Sequence, residues 1–325
     1  MKEQILELLK QSGAKTVSGT FMANRLGISR AAVWKNIELL RKDGYQIDAV
    51  TNKGYLLVNA AEMIDPEKIE SLLKTDVLAR TLEYVREVDS TNNLAKERAK
   101  EGAPDGTLIL ADRQFAGKGR QGRGFYSPQR GGIYMSMILR PKMNAEKTPI
   151  ITILAASAVC ETLNVMFDLN AKIKWVNDIY VGRKKICGIL TEAGYEVESA
   201  KLEYAVLGIG INLFFADFPE EINHVATCLQ HHTARPIDIN EIVAQVWNRF
   251  EAYYNKEDYS SALRYYRGAS MVLGNTVQFE KNGETRDAVA EDIDADGSLI
   301  VRYRDGSSDT LRSGEVRIRL PESII

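Results

Sequence analysis

The sequence predicts an α+β protein with an N-terminal winged helix-turn-helix, a central mixed α/β domain and a small C-terminal β-barrel. Apolar residues recur at helical spacing in the first 60 residues, and short strands and helices alternate from there to about residue 270. Three turn-forming dipeptides interrupt the final segment. The length of 325 residues suits this plan, because one domain takes about 100–200 residues. We place the domains at 1–62, 63–270 and 271–325.

Composition excludes several protein classes. Hydrophobic residues make up 45% and charged residues 26% of the chain, and we expect no apolar run to approach the ~20 residues of a membrane-spanning helix. The first ten residues lack the pattern of a secretion signal. Three cysteines without close spacing argue against a disulfide framework and a zinc knuckle. A soluble, cytoplasmic protein is therefore expected.

The charge is distributed unevenly along the chain. Residues 1–60 hold nine Lys/Arg and five Asp/Glu, net +4, whereas the remainder holds 33 and 39, net −6. A basic N-terminal end on an acidic body indicates a nucleic-acid partner for the first domain.

Helical spacing and capping residues predict three helices in the first domain. The first covers 2–11; Ser18 caps the second, and Gly27 supplies the turn after it. Ser29 caps the third helix and Gly44 ends it. The third helix buries Val33, Ile37 and Leu40.

A basic surface is predicted on this domain. Strands at 47–50 and 55–58 flank a turn that contains Asn52 and carries Lys53 at the tip of the wing. The exposed face of the third helix suits the DNA major groove, although a protein-binding module or a structural cap remains an alternative. The candidate DNA-binding residues are Ser29, Arg30, Ala31, Trp34, Lys35 and Lys53.

The central segment alternates between strands and helices. Helices are predicted at 91–101, 148–169 and 239–255, and the stretch 59–66 suits a linker. Strands are predicted at 107–111, 132–139, 172–175, 185–190 and 204–211.

A glycine-rich basic segment, 113–124, follows the first of these strands. Its glycines let the backbone approach a ligand, and its cations supply charge for phosphate or carboxylate oxygens. A dinucleotide fingerprint must open a helix, which the residues from Phe125 onward do not. A disordered RNA-binding tail would not lie between two strands, and a solvated surface loop is the remaining alternative. The cations are Lys118, Arg120 and Arg123.

Three further stretches carry polar residues where strands end. Asn177 and Asp178 lie in a turn between strands, where the carboxylate could hold a Mg²⁺ that bridges ATP phosphates, or could merely cap the turn. Lys185 begins the next strand, in a basic run that by itself suits solvated surface. The other two stretches are 89–92, which an N-cap would also explain, and 208–212, where glycines in a strand signal close approach.

Together, the winged helix, residues 89–92, and the motifs GKGRQGRG, KWVND, RKKICGIL and GIGIN resemble the bifunctional biotin protein ligase and biotin operon repressor family. The motifs occur in fixed order and cover all three predicted domains. The resemblance implies a catalytic domain similar to class II tRNA synthetases and biotin/lipoate ligases, with an SH3-like C-terminal barrel. It also implies ATP-dependent formation of biotinyl-5′-AMP and transfer of biotin to a lysine of the biotin carboxyl carrier protein of acetyl-CoA carboxylase.

The resemblance also implies roles for residues. Lys185 and Arg120 would be catalytic, and Asp178 would hold Mg²⁺. ATP and the adenylate would contact Lys118, Arg120, Arg123, Phe125, Asn177, Asp178 and Asn212. Phe125 stands where a relative has tryptophan, so a smaller ring would stack on adenine. The biotin site would comprise Ser90, Thr91, Asn92, Gln114, Gly117, Arg120, Lys185, Gly188, Gly208 and Gly210.

Regulation follows from the same resemblance. The adenylate would order the glycine-rich loop and favour a homodimer, which would space two winged helices for an inverted-repeat operator. Two alternatives stay open: a lipoate ligase, which shares the adenylation chemistry, and a biotin-sensing repressor without ligase activity.

Overall fold

The computed structural model divides into two compact units, Met1–Met63 and Ile64–Ile325. Gly44, Asn52 and the predicted boundary at residue 62 lie outside the described residues. The structure describes residues 1–12, 15–42, 45, 47–51, 53–57, 63–143, 147–195, 202–214, 218–255, 258–312 and 314–318.

The first unit has three helices and a hairpin, as predicted. The helices are α1 (Lys2–Gln11), α2 (Gly19–Leu26) and α3 (Arg30–Lys42), and the hairpin pairs β1 (Ile47–Val50) with β2 (Gly54–Leu57). These elements form the predicted winged helix-turn-helix.

Local chemistry sets the helix ends in this unit. The Ser18 hydroxyl accepts a hydrogen bond from Phe21 N at 2.9 Å, and Gly27 adopts a φ of +66° after α2. The predicted buried face of α3 is confirmed, because Val33, Ile37 and Leu40 are at most 1% exposed. They pack with residues of α1 and α2 in a core of their own.

The second unit is built on a seven-stranded sheet of order β3-β4-β5-β9-β8-β7-β6. Only β3 and β4 pair in parallel; the other neighbours are antiparallel. The sequence analysis did not predict β3 or β7, and the four residues of β7 follow the previous strand after a three-residue turn. The strands are β3 (Thr81–Val88), β4 (Thr107–Gln114), β5 (Gly132–Leu139), β6 (Ala171–Lys174), β7 (Asp178–Val181), β8 (Lys184–Tyr195) and β9 (Leu202–Asn212).

Helices cover both faces of this sheet. Helix α5 packs on one face through Ala95 and Ala99, against Ile109, Ile138 and Val206. The other face belongs to the main core, which also receives α4 and α6 to α8. The sequence did not predict α4, which starts at Pro66 behind an Asp65 cap in the supposed linker, or α8. The helices are α4 (Pro66–Leu72), α5 (Thr91–Lys100), α6 (Pro149–Phe167), α7 (Ile239–Tyr254) and α8 (Ser260–Ala269).

Helix α6 corrects the expectation about apolar runs. It has 19 residues and a mean hydropathy of 1.8, which is long and apolar enough to cross a membrane by length and composition alone. The structure buries 78% of this stretch between the sheet and helices α7 and α8. A helix that is apolar all round and packed on several sides is typical of a protein core.

The C-terminal segment forms a five-stranded antiparallel sheet of order β13-β12-β11-β10-β14. The predicted turn at Asn282 and Gly283 joins β10 to β11, with φ of +55° and +78°. The sheet shares the main core, and the Trp175 indole donates to Gly297 O at 3.0 Å. The strands are β10 (Thr276–Lys281), β11 (Glu284–Ile293), β12 (Leu299–Arg302), β13 (Ser308–Leu311) and β14 (Arg317–Ile318).

Candidate active site

Sheet register creates a depression on the α5 face. Pairing of β5, β9 and β8 aligns Tyr134, Gly210 and Gly188 in one row across three strands. The neighbouring row contains Ser136 and Gly208. Because paired residues point to the same face, the glycines leave this part of the sheet open.

The glycine-rich segment closes over this depression as a hairpin. Phe125 N donates to Gly117 O at 2.8 Å, and Gly119 N donates to Arg123 O at 2.7 Å. A side chain at Gly117 would lie 2.5 Å from the Phe125 carbonyl oxygen, so the strands of the hairpin approach closely only because this residue is glycine. The hairpin thereby holds its cations above the sheet.

A cavity of about 440 Å³, here called the first compartment, lies between the hairpin and the sheet. Met135 and Ile189 add apolar surface to its wall. The compartment thus combines an apolar wall with hydrogen-bonding groups, as small-molecule sites do. The predicted site residues that line it are Ser90, Thr91, Asn92, Gln114, Lys118, Arg120, Phe125, Asn177, Lys185, Gly188, Gly208 and Gly210.

A directed chain of hydrogen bonds connects Thr91 and Gln114 in the wall of the first compartment. The buried Ser136 hydroxyl lies 2.8 Å from the Thr91 hydroxyl, which donates to Gln114 Oε1 at 3.0 Å. Gln114 Nε2 donates to the Ser127 hydroxyl at 2.9 Å, and this hydroxyl donates to Phe125 O at 2.9 Å. The chain fixes which atoms of Gln114 accept and which donate. Sequence reasoning missed Ser136, although a serine inside the apolar strand β5 signals a buried polar role.

A second polar group orients Asn92. Its Oδ1 lies 2.7 Å from the Ser136 hydroxyl, and its Nδ2 donates to Glu192 Oε2 at 2.8 Å. Lys96 donates to the other oxygen of Glu192 at 2.8 Å. Burial alone would raise the pKa of Glu192, but the bonds from Lys96 and Asn92 outweigh it and hold the pKa below its usual value. Glu192 was not predicted, because it is more than 90 residues away in sequence from both partners.

A second compartment of about 620 Å³ adjoins the first. Arg120 donates to Asn177 Oδ1 at 3.1 Å, and the Lys185 ammonium lies 2.7 Å from Asp178 Oδ1. The second compartment has more cations than carboxylates in its lining, which suits a polyanionic ligand. Its charged lining residues are Arg120, Arg123, Lys174, Asp178, Lys185 and Glu315.

Glu315 belongs to the C-terminal segment and pairs with the hairpin. Both its oxygens accept from Arg123, at 3.1 and 2.7 Å. This bidentate pair lowers the pKa of Glu315 and raises that of Arg123. The C-terminal segment therefore takes part in the site, which sequence reasoning did not anticipate.

Asp178 offers a carboxylate to a divalent cation that also binds the phosphates of a substrate. Its buried Oδ1 is paired with the Lys185 ammonium at 2.7 Å. Nowhere in the described ranges do three His, Cys, Asp or Glu side chains gather as metal ligands. This donor set fits Mg²⁺, which binds through one or two carboxylates together with phosphates and water.

Two predicted residues do not line either compartment. Gly117 shapes the hairpin instead. The buried Asn212 donates to Thr227 O at 3.0 Å, and Thr227 N donates to Lys185 O at 2.9 Å. Asn212 is thus connected to the main chain of Lys185, and its contact with ATP stays a prediction.

The predicted DNA-binding face is solvent-exposed. All six candidates are exposed, and Trp34 keeps 57% of its surface accessible. The Ser29 hydroxyl accepts from Ala32 N at 3.1 Å, so Ser29 also caps α3. An exposed tryptophan beside Arg30 and Lys35 suits contact with a partner.

Family models match three parts of the chain. The biotin/lipoate A/B protein ligase family matches residues 84–212, a range that contains the glycine-rich hairpin and Lys185. An HTH domain matches residues 2–56, and a biotin protein ligase C-terminal domain matches residues 272–319.

Two relatives match most of the chain, and a solved structure matches about three quarters of it. The bifunctional ligase/repressor BirA of Bacillus spizizenii is 35% identical over 94% of this chain and 95% of its own. BirA of Escherichia coli is 26% identical over 94% of both chains. A biotin protein ligase from Aquifex aeolicus, solved with biotin and ATP, is 28% identical with a TM-score of 0.62, and covers 74% of this chain and 99% of its own. The chain therefore belongs to the family of bifunctional biotin ligase/repressor proteins.

Proposed function

We propose that this protein condenses biotin with ATP to biotinyl-5′-AMP and transfers the biotinyl group to a lysine of biotin carboxyl carrier protein. The observation that carries the proposal is the meeting of the two compartments at Lys185 and Arg120. The first compartment offers an apolar wall and hydrogen bonds for the acyl substrate, and the second offers cations for phosphates.

The first half-reaction joins the two substrates at this junction. An oxygen of the biotin carboxylate attacks the α-phosphorus of ATP, and the bond from that phosphorus to the bridging oxygen breaks, which releases pyrophosphate. Lys185 and Arg120 stabilise the charge that develops on the phosphoryl oxygens. Holding both substrates in one cleft lowers the entropic cost of their encounter.

The second half-reaction transfers the acyl group. The neutral amine of a carrier lysine attacks the acyl carbon of the mixed anhydride, its proton passes to solvent, and AMP leaves with the electron pair of the cleaved bond. Mg²⁺, when bound, would neutralise phosphate charge, with Asp178 and Asn177 as its candidate ligands. Ser90, Thr91, Asn92 and Gln114 would hold the ureido ring of biotin.

A single assay tests the ligase. The protein is incubated with biotin, Mg-ATP and a biotin carboxyl carrier domain, and intact mass is expected to show one added biotinyl group. Lipoate in place of biotin should give no product, which separates this enzyme from a lipoate ligase. A Lys185→Met variant should lose at least about 100-fold in rate, because an oxyanion-stabilising group is removed. No mass shift with the unmodified protein would refute the ligase assignment.

The second function is repression. We infer that the first unit binds an operator through α3 and the wing, and that the adenylate-bound protein forms a homodimer on an inverted repeat. Sedimentation with and without biotin and Mg-ATP tests the dimer. A cytoplasmic location suits both the carrier and the DNA as partners.

Charge reversal tests the DNA face. Arg30→Glu or Lys35→Glu should weaken operator binding in a gel shift by at least about tenfold, because a phosphate or base contact is replaced by repulsion. Glu3→Lys, on the exposed surface of α1, serves as a matched control. Carrier biotinylation should not change in either variant. Unchanged gel-shift affinity of both variants would contradict the assigned surface.

A further inference from the structure

The direction in which the leaving group departs is set by how the two compartments join. They share Gly119, Arg120, Phe125, Asn177 and Lys185, so the reacting carboxylate and the α-phosphate meet there. Displacement at phosphorus is in line, with the leaving oxygen opposite the attacking one. Since biotin occupies the first compartment, the β- and γ-phosphates point away from it, into the part of the second compartment that the first does not share.

Four cations and two carboxylates line that second compartment. Three of the cations already have polar partners: Arg120 bonds to Asn177, Arg123 to Glu315, and Lys185 to Asp178. Lys174 differs from them. Within the described part of the chain it forms no ion pair, and Glu315, which interacts with its charge at longer range, is already paired with Arg123.

The position of Lys174 is fixed by the sheet. It is the last residue of β6 and lies directly across from Asp178, the first residue of β7. Its ammonium lies 5.8 Å from the centroid of the Tyr180 ring, a cation–π contact that orients the side chain. Lys174 is half-buried and lines the basic compartment across from Asp178, a candidate magnesium ligand, and an ammonium in this position suits a phosphate.

We propose that Lys174 binds the β- and γ-phosphates of ATP and the pyrophosphate that they become. This inference rests on the proposed ligase function and assigns a further residue to it. In the reverse reaction an oxygen of pyrophosphate attacks the α-phosphorus of biotinyl-5′-AMP, and the bond from phosphorus to the carboxylate oxygen breaks, which regenerates ATP and biotin. Lys174 contributes to both directions through the same phosphates, and has no contact with the acyl group.

Pyrophosphate kinetics test this assignment. The experiment compares the full-length protein with Lys174→Met and with Lys172→Met, a lysine on the same strand and face that lines neither compartment. Labelled pyrophosphate exchange into ATP is measured as a function of pyrophosphate concentration. Lys174→Met should raise the KM for pyrophosphate at least about tenfold, because one charge-assisted hydrogen bond to the phosphates is lost. Lys174→Arg should restore part of the affinity, and Lys172→Met should leave it unchanged.

A second measurement separates a phosphate contact from a general structural defect. Preformed biotinyl-5′-AMP is supplied, and its transfer to the carrier domain is timed without ATP. All three variants should transfer at the unmodified rate, because that step involves no β- or γ-phosphate. An unchanged KM for pyrophosphate in Lys174→Met, or an equal rise in Lys172→Met, would overturn the assignment of Lys174. Absence of biotin-dependent exchange in the unmodified protein would instead overturn the ligase function itself.

Discussion

Single glycines determine the depth of the first compartment. A side chain at Gly208 would lie 2.0 Å from Asn92 Oδ1, and one at Gly210 would lie 2.4 Å from the Phe125 ring. Neither glycine has a positive φ, so the requirement is for space and not for backbone conformation. The same two positions let Asn92 and Phe125 reach over the sheet toward a ligand.

Gly208→Ala should therefore weaken biotin binding and leave the fold intact. The added methyl group displaces the Asn92 amide from Ser136 and Glu192, and we expect biotin affinity to fall at least about tenfold. Isothermal titration measures the affinity, and the melting temperature reports on the fold. Gly268→Ala, where a side chain meets nothing within 4 Å, is the matched control. Equal biotin affinity in the two variants would contradict the role of this glycine.

The sequence predicted the residues of the site that lie in short motifs. Ser90, Gln114, Arg120 and Lys185 all reach the first compartment, because strand ends and tight loops carry them there. It did not predict their distant partners. Ser136, Glu192 and Glu315 act through contacts that span 44 to 192 positions, and only strand register and packing bring such residues together.

At the scale of elements, one ion pair joins helix α5 to strand β8. Lys96 and Glu192 lie 2.8 Å apart, and both side chains are partly exposed. Their direct electrostatic contribution to stability is therefore modest, about 0–1 kcal/mol. Their larger effect is positional, since Glu192 also accepts from Asn92 at the N-terminus of α5.

Glu192→Gln should lower biotin affinity several-fold with little change in stability, because Asn92 loses its charged acceptor. The exposed Glu203→Gln on β9 is the control.

The pH dependence of biotin binding has a definite sign. Because the folded-state pKa of Glu192 is lowered from 4.5, its contribution is complete above that value and is lost as pH falls through the lowered pKa. Biotin affinity is measured from neutral to acidic pH in the unmodified protein and in Glu192→Gln. If the affinity already changed above pH 4.5 in the unmodified protein but not in the variant, the assigned pH range would be contradicted.

At the scale of the molecule, each unit has a core from its own residues. The first core draws on residues from Ile5 to Ile47, and the main core on residues from Ile64 to Val316. The main core runs without interruption from the seven-stranded sheet into the C-terminal sheet, which the sequence had suggested as a separate domain. Alternating patterns reveal strands but not which sheets share a core, so this continuity was not predictable from them.

Two truncations test this arrangement. Residues 64–325 expressed alone should fold, since their core is complete, and should keep biotin-dependent pyrophosphate exchange within about threefold of the full chain while losing operator binding. Residues 1–270 should lose exchange, because Glu315 and the bond from Trp175 to Gly297 are removed together with part of the core. Circular dichroism separates loss of fold from loss of activity in the truncated protein. Glu315→Gln in the full chain is a second control, because it removes only the charge opposite Arg123 and keeps the rest of the C-terminal sheet. If residues 1–270 kept full exchange activity, the C-terminal sheet would have no part in the catalytic unit.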